Sequence, residues 1–197
     1  MKILLFGRSG QLGRELEPVL ASLGRCIAYS RDEADLERPD TVRQLLRHEA
    51  PDIVVNAAAF TAVDRAESEP DRARQINADA VGVMAEEMAL LGGWLLHYST
   101  DYVFDGTKPG SYVETDPTGP LGVYGRTKLT GERLVAASGC RHLIFRTSWV
   151  YAAHGSNFVR TMLQLLQERE ELAVVDDQVG APTAATRIAA VTAAALR

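Results

Sequence analysis

Ile3-Leu4-Leu5-Phe6-Gly7-Arg8-Ser9-Gly10-Gln11-Leu12-Gly13 is the stretch from which the fold can be read. Its first four residues are apolar without alternation, the mark of a strand buried on both faces. Three glycines follow in the spacing G-x-x-G-x-x-G, and an amphipathic helix runs on to about residue 23. Glycines at such a junction permit a tight turn, close approach of backbone to a pyrophosphate and close packing of helix on strand. The helix start adds unpaired N–H groups and a partial positive charge. An ordinary Gly-rich turn is the plainer alternative. The position at the first strand–helix junction favours a dinucleotide site that uses Gly7, Gly10 and Gly13.

The same strand–helix alternation continues outward from this loop. Strands are expected at 26–29, 52–56, 94–99, 142–147 and 172–175, and helices at 39–48, 70–91, 123–137, 157–168 and 186–196. Gly92-Gly93 is a natural stop for the 70–91 helix. A Gly/Pro-rich loop covers 105–120. Continuous apolar strands separated by helices imply a parallel sheet covered on both faces. The β-α-β order from the first residue is the doubly wound, dinucleotide-binding (Rossmann) plan. The expected class is therefore α/β with a doubly wound parallel sheet. Residues 1–150 form the dinucleotide-binding domain, and 151–197 begin a substrate-binding part that partly returns to the sheet. The final helix runs to Arg197 with no Gly, Asn or Pro stop, the pattern expected of a chain cut short.

Bulk properties narrow the function. The 197 residues suffice for one large domain, which buries roughly 70% of its unfolded surface without staples. A formal charge of −5 argues against a nucleic-acid surface, while leaving room for a nucleotide held by backbone amides. Cys26 and Cys140 show no paired spacing and read as small apolar residues in a reducing compartment. The N-terminal apolar run is too short for a signal peptide, and no stretch approaches the roughly 18 apolar residues of a membrane span. A soluble, cytoplasmic protein is expected. His48, His97, His142 and His154 are scattered without metal-ligand spacing, so no zinc or other metal site is inferred.

Chemistry is written most clearly in Tyr124-Gly125-Arg126-Thr127-Lys128. Residues four apart share one face of a helix, so the Lys128 ammonium is expected beside the Tyr124 phenol. A phenol titrates near ~10, and a nearby cation lowers that value. The pair reads as an acid able to protonate a carbonyl oxygen while hydride arrives at carbon. By itself the Y-x-x-x-K pattern is common on helix surfaces. Here Thr100 ends the 94–99 strand, and strand C-termini face the ligand crevice in a parallel sheet. Thr100 and Tyr124 would hold the oxygen, and Lys128 would hold nicotinamide-ribose hydroxyls; such acid catalysis contributes roughly 10²–10⁴-fold. Alone, Thr100 reads better as a loop-start residue satisfying its own backbone. Asp101 divides evenly between loop bonding and substrate contact. Small residues at 57–59 would let a flat ring pass, and Asp64 is expected to cap the following helix. At the end of the second strand, Ser30 leaves room for a 2′-phosphate and Arg31, helped by Arg8, would neutralise it, so NADPH is expected over NADH. The bland alternative makes Arg31 a solvated surface residue.

At these residues the chain resembles the dTDP-4-dehydrorhamnose reductase family, extended short-chain dehydrogenase/reductases in which the wider glycine spacing occurs. The likeness runs through Leu4 to Gly13, Asn56-Ala57-Ala58-Ala59, Thr61-Ala62-Val63-Asp64, His97 to Phe104, Val123-Tyr124-Gly125, Phe145 to Tyr151, and Gly180-Ala181-Pro182-Thr183. S-T-D-Y-V-F and R-T-S-W-V-Y are far more specific than the glycine loop. The resemblance implies NAD(P)H-dependent reduction of the 4-keto group of dTDP-4-dehydro-β-L-rhamnose by Thr100, Tyr124 and Lys128. It implies that Gly10, Gln11 and Leu12 contact the pyrophosphate, Asp35 and Leu36 the adenine, and that Ala59, Phe60, Thr61 and Tyr98 line the cofactor site. Asp101 and Trp149 would meet the sugar nucleotide, with Thr61 and Val63 nearby. Phe60 stands where the family usually has His. Family members continue beyond Arg197, and that part completes the substrate pocket and in some supplies carboxylates for a Mg²⁺-linked homodimer; no Mg²⁺ ligand is placed in this chain. Two other readings compete: a non-catalytic NADP-binding regulatory subunit, and another nucleotide-sugar epimerase, dehydratase or reductase. The intact Thr100, Tyr124 and Lys128 argue against the first, and the lack of further acid–base residues beside Thr100-Asp101 against a dehydratase.

Overall fold

Five apolar runs pair side by side in the computed structural model, which describes residues 1–197. The elements are β1 (Lys2–Phe6), α1 (Gln11–Ala21), β2 (Arg25–Tyr29), α2 (Pro39–Glu49), β3 (Ile53–Asn56), α3 (Val63–Ser68), α4 (Pro70–Arg74), a π-helical turn (Gln75–Asp79), α5 (Ala80–Leu91), β4 (Trp94–Thr100), α6 (Val123–Ala137) and β5 (Arg141–Thr147). The strands form one parallel sheet in the order β2-β1-β3-β4-β5. Strand order reverses at β1, so the crevice opens beyond Phe6 and Asn56, which are register partners.

Alternation along β1 explains its unbroken apolar run. Leu4 and Phe6 pack toward Val42 and Leu46 of α2, Met84 and Met88 of α5, and Val135 of α6. Ile3 and Leu5 pack toward Leu16 and Leu20 of α1 and toward Ile188. Ile188 lies on α8 (Ala185–Ala195), which follows β6 (Val150–Tyr151), α7 (Phe158–Glu168) and β7 (Thr183–Ala184). The chain beyond 150 thus sends a helix back onto the face that α1 covers, and the hydroxyls of Tyr98 and Thr192 meet there at 2.6 Å. No helix is long and apolar enough to cross a membrane.

Three local expectations fail. The helix expected over 70–91 is interrupted by the π turn, which carries the buried Asn77. The run 172–175 forms no strand: it finds no partner for its backbone, and Val174 and Val175 are exposed. A ladder does form nearby, between β6 and β7, where no strand was expected. Asp64 lies in the first turn of α3 and makes no cap hydrogen bond, because Ala62 occupies the cap position.

Candidate active site

The first wall of the crevice is backbone. Gly7 adopts φ +88°, and a Cβ there would stand 2.7 Å from the Ala58 nitrogen. A Cβ on Gly13 would stand 2.0 Å from the Gly7 carbonyl oxygen. Only glycine lets the loop tuck under the helix start so closely. No side chain caps α1, whose N-cap is Gly10, so its leading N–H groups remain open to a ligand. They face a cleft of about 390 Å³ lined by Gly7, Gly10, Gln11 and Leu12, by Arg31, Asp35 and Leu36, by Ala59, Phe60 and Thr61, and by Tyr98, Tyr124 and Lys128. Gly13 sits behind the loop. Ser30, Val63, Thr100, Asp101 and Trp149 are not part of this wall.

At the outer end the charges are already paired. Arg31 bonds Glu37, and its Nε stands 3.7 Å from Asp35. Arg72 donates Nε–H and Nη2–H to the same Glu37 oxygen at 2.9 and 2.7 Å, and Nη1–H to Glu69 at 2.9 Å. The N–H and hydroxyl of Ser30 both donate to Glu33, at 2.8 and 2.7 Å. Ser30 is therefore occupied by an acid rather than left open, and Arg31 is not a free cation. Between the ends, the Phe60 ring lies under the guanidinium groups of Arg65 and Arg72. Its backbone is gripped on both sides by Asn77: the Phe60 N–H donates at 2.9 Å, and Asn77 Nδ2 donates to the Phe60 carbonyl at 3.0 Å. Asn77 Nδ2 also reaches Thr127 on α6 at 3.2 Å. A π turn is the local device that brings this amide inward.

The inner end is dry. Tyr124 enters at the first turn of α6, with the Tyr102 ring edge-on at 5.6 Å. Burial pushes its phenol up to about 12, and a hydrogen bond with Thr100 pulls weakly the other way. The Thr100 hydroxyl donates to Asp101 Oδ1 at 3.1 Å and accepts from the Tyr102 N–H at 3.2 Å. The Ser148 hydroxyl donates to Asp101 Oδ2 at 2.6 Å. Asp101 thus ties the end of β4 to the loop after β5. Trp149, at φ +46°, is exposed on that loop.

Lys128 departs from expectation. Its Nζ lies 2.7 Å from the Tyr98 carbonyl oxygen and 3.2 Å from His97 Nε2, rather than bonding Tyr124. Burial pulls its ammonium down to about 7, against a raising influence from Glu132. The phenol is raised, not lowered: both side chains border the cleft, and desolvation is the largest influence on each. Tyr98 contributes its carbonyl here while its hydroxyl points to the opposite face of the sheet.

Sequence reading missed His97, Asn56, Asn77, Glu37 and Ser148. The available signal was a polar residue inside an apolar run, as in Leu95-Leu96-His97-Tyr98. Ser99 Oγ and Thr147 Oγ1 border the cleft, buried and without partners. Together with the loop that a single Cβ would fill, they fit a polar ligand with a pyrophosphate. No group of three or more His, Cys, Asp or Glu side chains is gathered to hold a metal ion.

A helix start aimed across the switch point, with a Tyr and a Lys from one helix beneath it, is the arrangement of short-chain dehydrogenase/reductases, NAD(P)H-dependent oxidoreductases. Residues 1–197 match the family described as RmlD substrate binding domain. The chain is 56% identical over 196 residues to the dTDP-4-dehydrorhamnose reductase of Burkholderia thailandensis, covering 100% of this chain and 66% of that protein. It is 53% identical over 201 residues to the Escherichia coli K12 reductase, covering 100% and 67%. Among solved structures, the Clostridium acetobutylicum dTDP-4-dehydrorhamnose reductase superposes with TM-score 0.95 at 38% identity, over 100% of this chain and 70% of that one. The Bacillus anthracis reductase, solved in complex with NADP, gives 0.94 at 36%, over 99% and 70%. The chain belongs to the dTDP-4-dehydrorhamnose reductase family and spans about two thirds of the length of these relatives.

Proposed function

We propose that this chain carries the cofactor site and the proton donor for NADPH-dependent reduction of the 4-keto group of dTDP-4-dehydro-β-L-rhamnose to dTDP-L-rhamnose. The observation that carries this reading is the Tyr124 phenol, half-buried beside Thr100 at the inner end of the cleft and held protonated by desolvation. A phenol that keeps its proton at neutral pH can donate it to a developing alkoxide. Thr100 and Tyr124 receive the ketone oxygen, and Lys128 binds the ribose hydroxyls. Gly7, Gly10 and Gly13 leave room for a pyrophosphate on the N–H groups of Gln11 and Leu12. Asp35 and Leu36 flank the adenine, with Ala59, Phe60, Thr61 and Tyr98 along the middle. Asp101, Trp149, Thr61 and Val63 belong to the sugar-nucleotide side. Reduced nicotinamide, when bound, supplies the hydride. A preference for the 2′-phosphate rests on Arg31, which would exchange Glu37 for the phosphate, and is supported by the NADP found with the Bacillus anthracis relative. A cytoplasmic setting is part of the same proposal.

The test is NADPH oxidation with dTDP-4-dehydrorhamnose, alongside NADPH binding measured separately. Tyr124→Phe is expected to lower turnover at least ~100-fold while leaving NADPH affinity nearly unchanged. Near-normal turnover of that variant would overturn the assignment.

A further inference from the structure

A buried chain of hydrogen bonds runs from the cleft loop to Lys128 through two residues that the reaction above does not use. The Ala58 N–H lies 3.1 Å from Asn56 Oδ1, Asn56 Nδ2 lies 3.3 Å from His97 Nδ1, and His97 Nε2 lies 3.2 Å from Lys128 Nζ. Asn56, His97 and Lys128 are each at most 2% exposed, so water cannot repair a mismatch between donors.

One end of the chain has its role fixed by covalent structure. A backbone N–H can only donate, so the Asn56 atom facing Ala58 must be the amide oxygen. The amide NH₂ then faces His97 and donates to Nδ1, which must be bare. A neutral imidazole with a bare Nδ1 carries its proton on Nε2. That N–H points at Lys128, which already donates to the Tyr98 carbonyl. An ammonium offers no acceptor; a neutral amine offers one lone pair. Charged Lys128 therefore sets two donors face to face in a dry site, which is costly. Rotating the Asn56 amide only moves the conflict to Ala58.

We propose that Asn56 and His97 are positioning residues that hold Lys128 as a neutral amine in the dinucleotide-free protein, through the Nε2–H tautomer of His97. Of the groups facing Lys128, Glu132 alone favours the charged form, and it is outweighed by burial. Tyr124 and Glu132 lie on its own helix and His97 on β4. The Glu132 carboxylate is taken by Arg146 of β5 at 3.0 and 2.6 Å, so it is not an open counter-ion. Burial acts in the same direction on both His97 and Lys128.

The tautomer can be read without any turnover, so this inference and the reductase assignment fail independently. In a ¹⁵N-labelled variant with His48, His142 and His154 replaced by Gln, His97 is the only imidazole. Imidazole nitrogen spectra near neutral pH are expected to show a bare Nδ1 and a protonated Nε2. An Nδ1–H tautomer, or an imidazolium, would overturn the proposal. Asn56→Asp keeps the shape but offers Nδ1 an acceptor. It should invert the His97 tautomer and raise the pH at which the Lys128 Cε resonance titrates. An unchanged tautomer in a folded Asn56→Asp variant also refutes it, and if that variant does not fold, the wild-type tautomer alone decides.

Discussion

At the outer end of the cleft, Arg31, Arg72, Glu37 and Glu69 share charge through side chains from 26% to 60% exposed; at the inner end, Lys128, His97 and Asn56 are sealed and bonded atom to atom. Exposed ion pairs contribute about 0–1 kcal/mol and exchange partners readily. Buried polar groups must be satisfied in full or cost several times that. One end can therefore admit a phosphate by trading a carboxylate for it, whereas the other must hold its geometry and protonation states before the reaction begins. The proposed reduction needs this division: affinity for the long carrier can be adjustable, but the proton donor cannot.

The contrast is tested most severely at Tyr124, where loss of one hydroxyl is expected to remove at least ~100-fold of turnover. Next comes Lys128. Its ammonium is held at about 7 in the folded chain against an ordinary 10.5. Between those values the unfolded chain binds a proton that the folded chain does not, so stability rises with pH across that window. Below about pH 7 both states are charged and the full burial cost applies. Lys128→Met should therefore gain stability relative to wild type as pH falls from 10 to 6, by an amount on the order of a few kcal/mol. The difference should shrink toward pH 10. Parallel denaturation midpoints for the two proteins at pH 6 and pH 9 would contradict the dry inner end.

Gly13→Ala probes the backbone wall. Its Cβ would meet the Gly7 carbonyl at 2.0 Å, and such overpacking costs about 1–3 kcal/mol. Both the melting temperature and NADPH affinity should fall. The smallest effect belongs to the outer end. Glu37→Gln frees Arg31 and Arg72 from a shared carboxylate and should raise the NADPH-to-NADH affinity ratio by a factor of a few, the range of exposed pairs. A change as large as that from Tyr124→Phe would erase the distinction between the ends.

Much of the fold was legible because its causes are local. An apolar run without alternation, as in Ile3 to Phe6, needs burial on two faces wherever it sits. Gly7 and Gly13 mark a turn that side chains cannot make. The failures came where a partner was required. Leu172 to Val175 has the composition of a buried strand, but a strand exists only if another offers its edge. The 70–91 segment has helical periodicity throughout, yet its π turn answers to the distant backbone of Phe60.

The site divides in the same way. Tyr124 and Lys128 declared themselves because their spacing is a property of any helix, and Thr100 because strand ends face the crevice. The sequence by itself determined the class of sheet, the glycine loop and the residue types for proton transfer, since each follows from periodicity or steric limits within a few residues. Only the tertiary structure decided the partners: His97 under Lys128 across 31 positions, Glu37 against Arg31 and Arg72, and a phenol raised rather than lowered. Desolvation and hydrogen-bond polarity depend on what surrounds a group in three dimensions, and no local pattern carries that information.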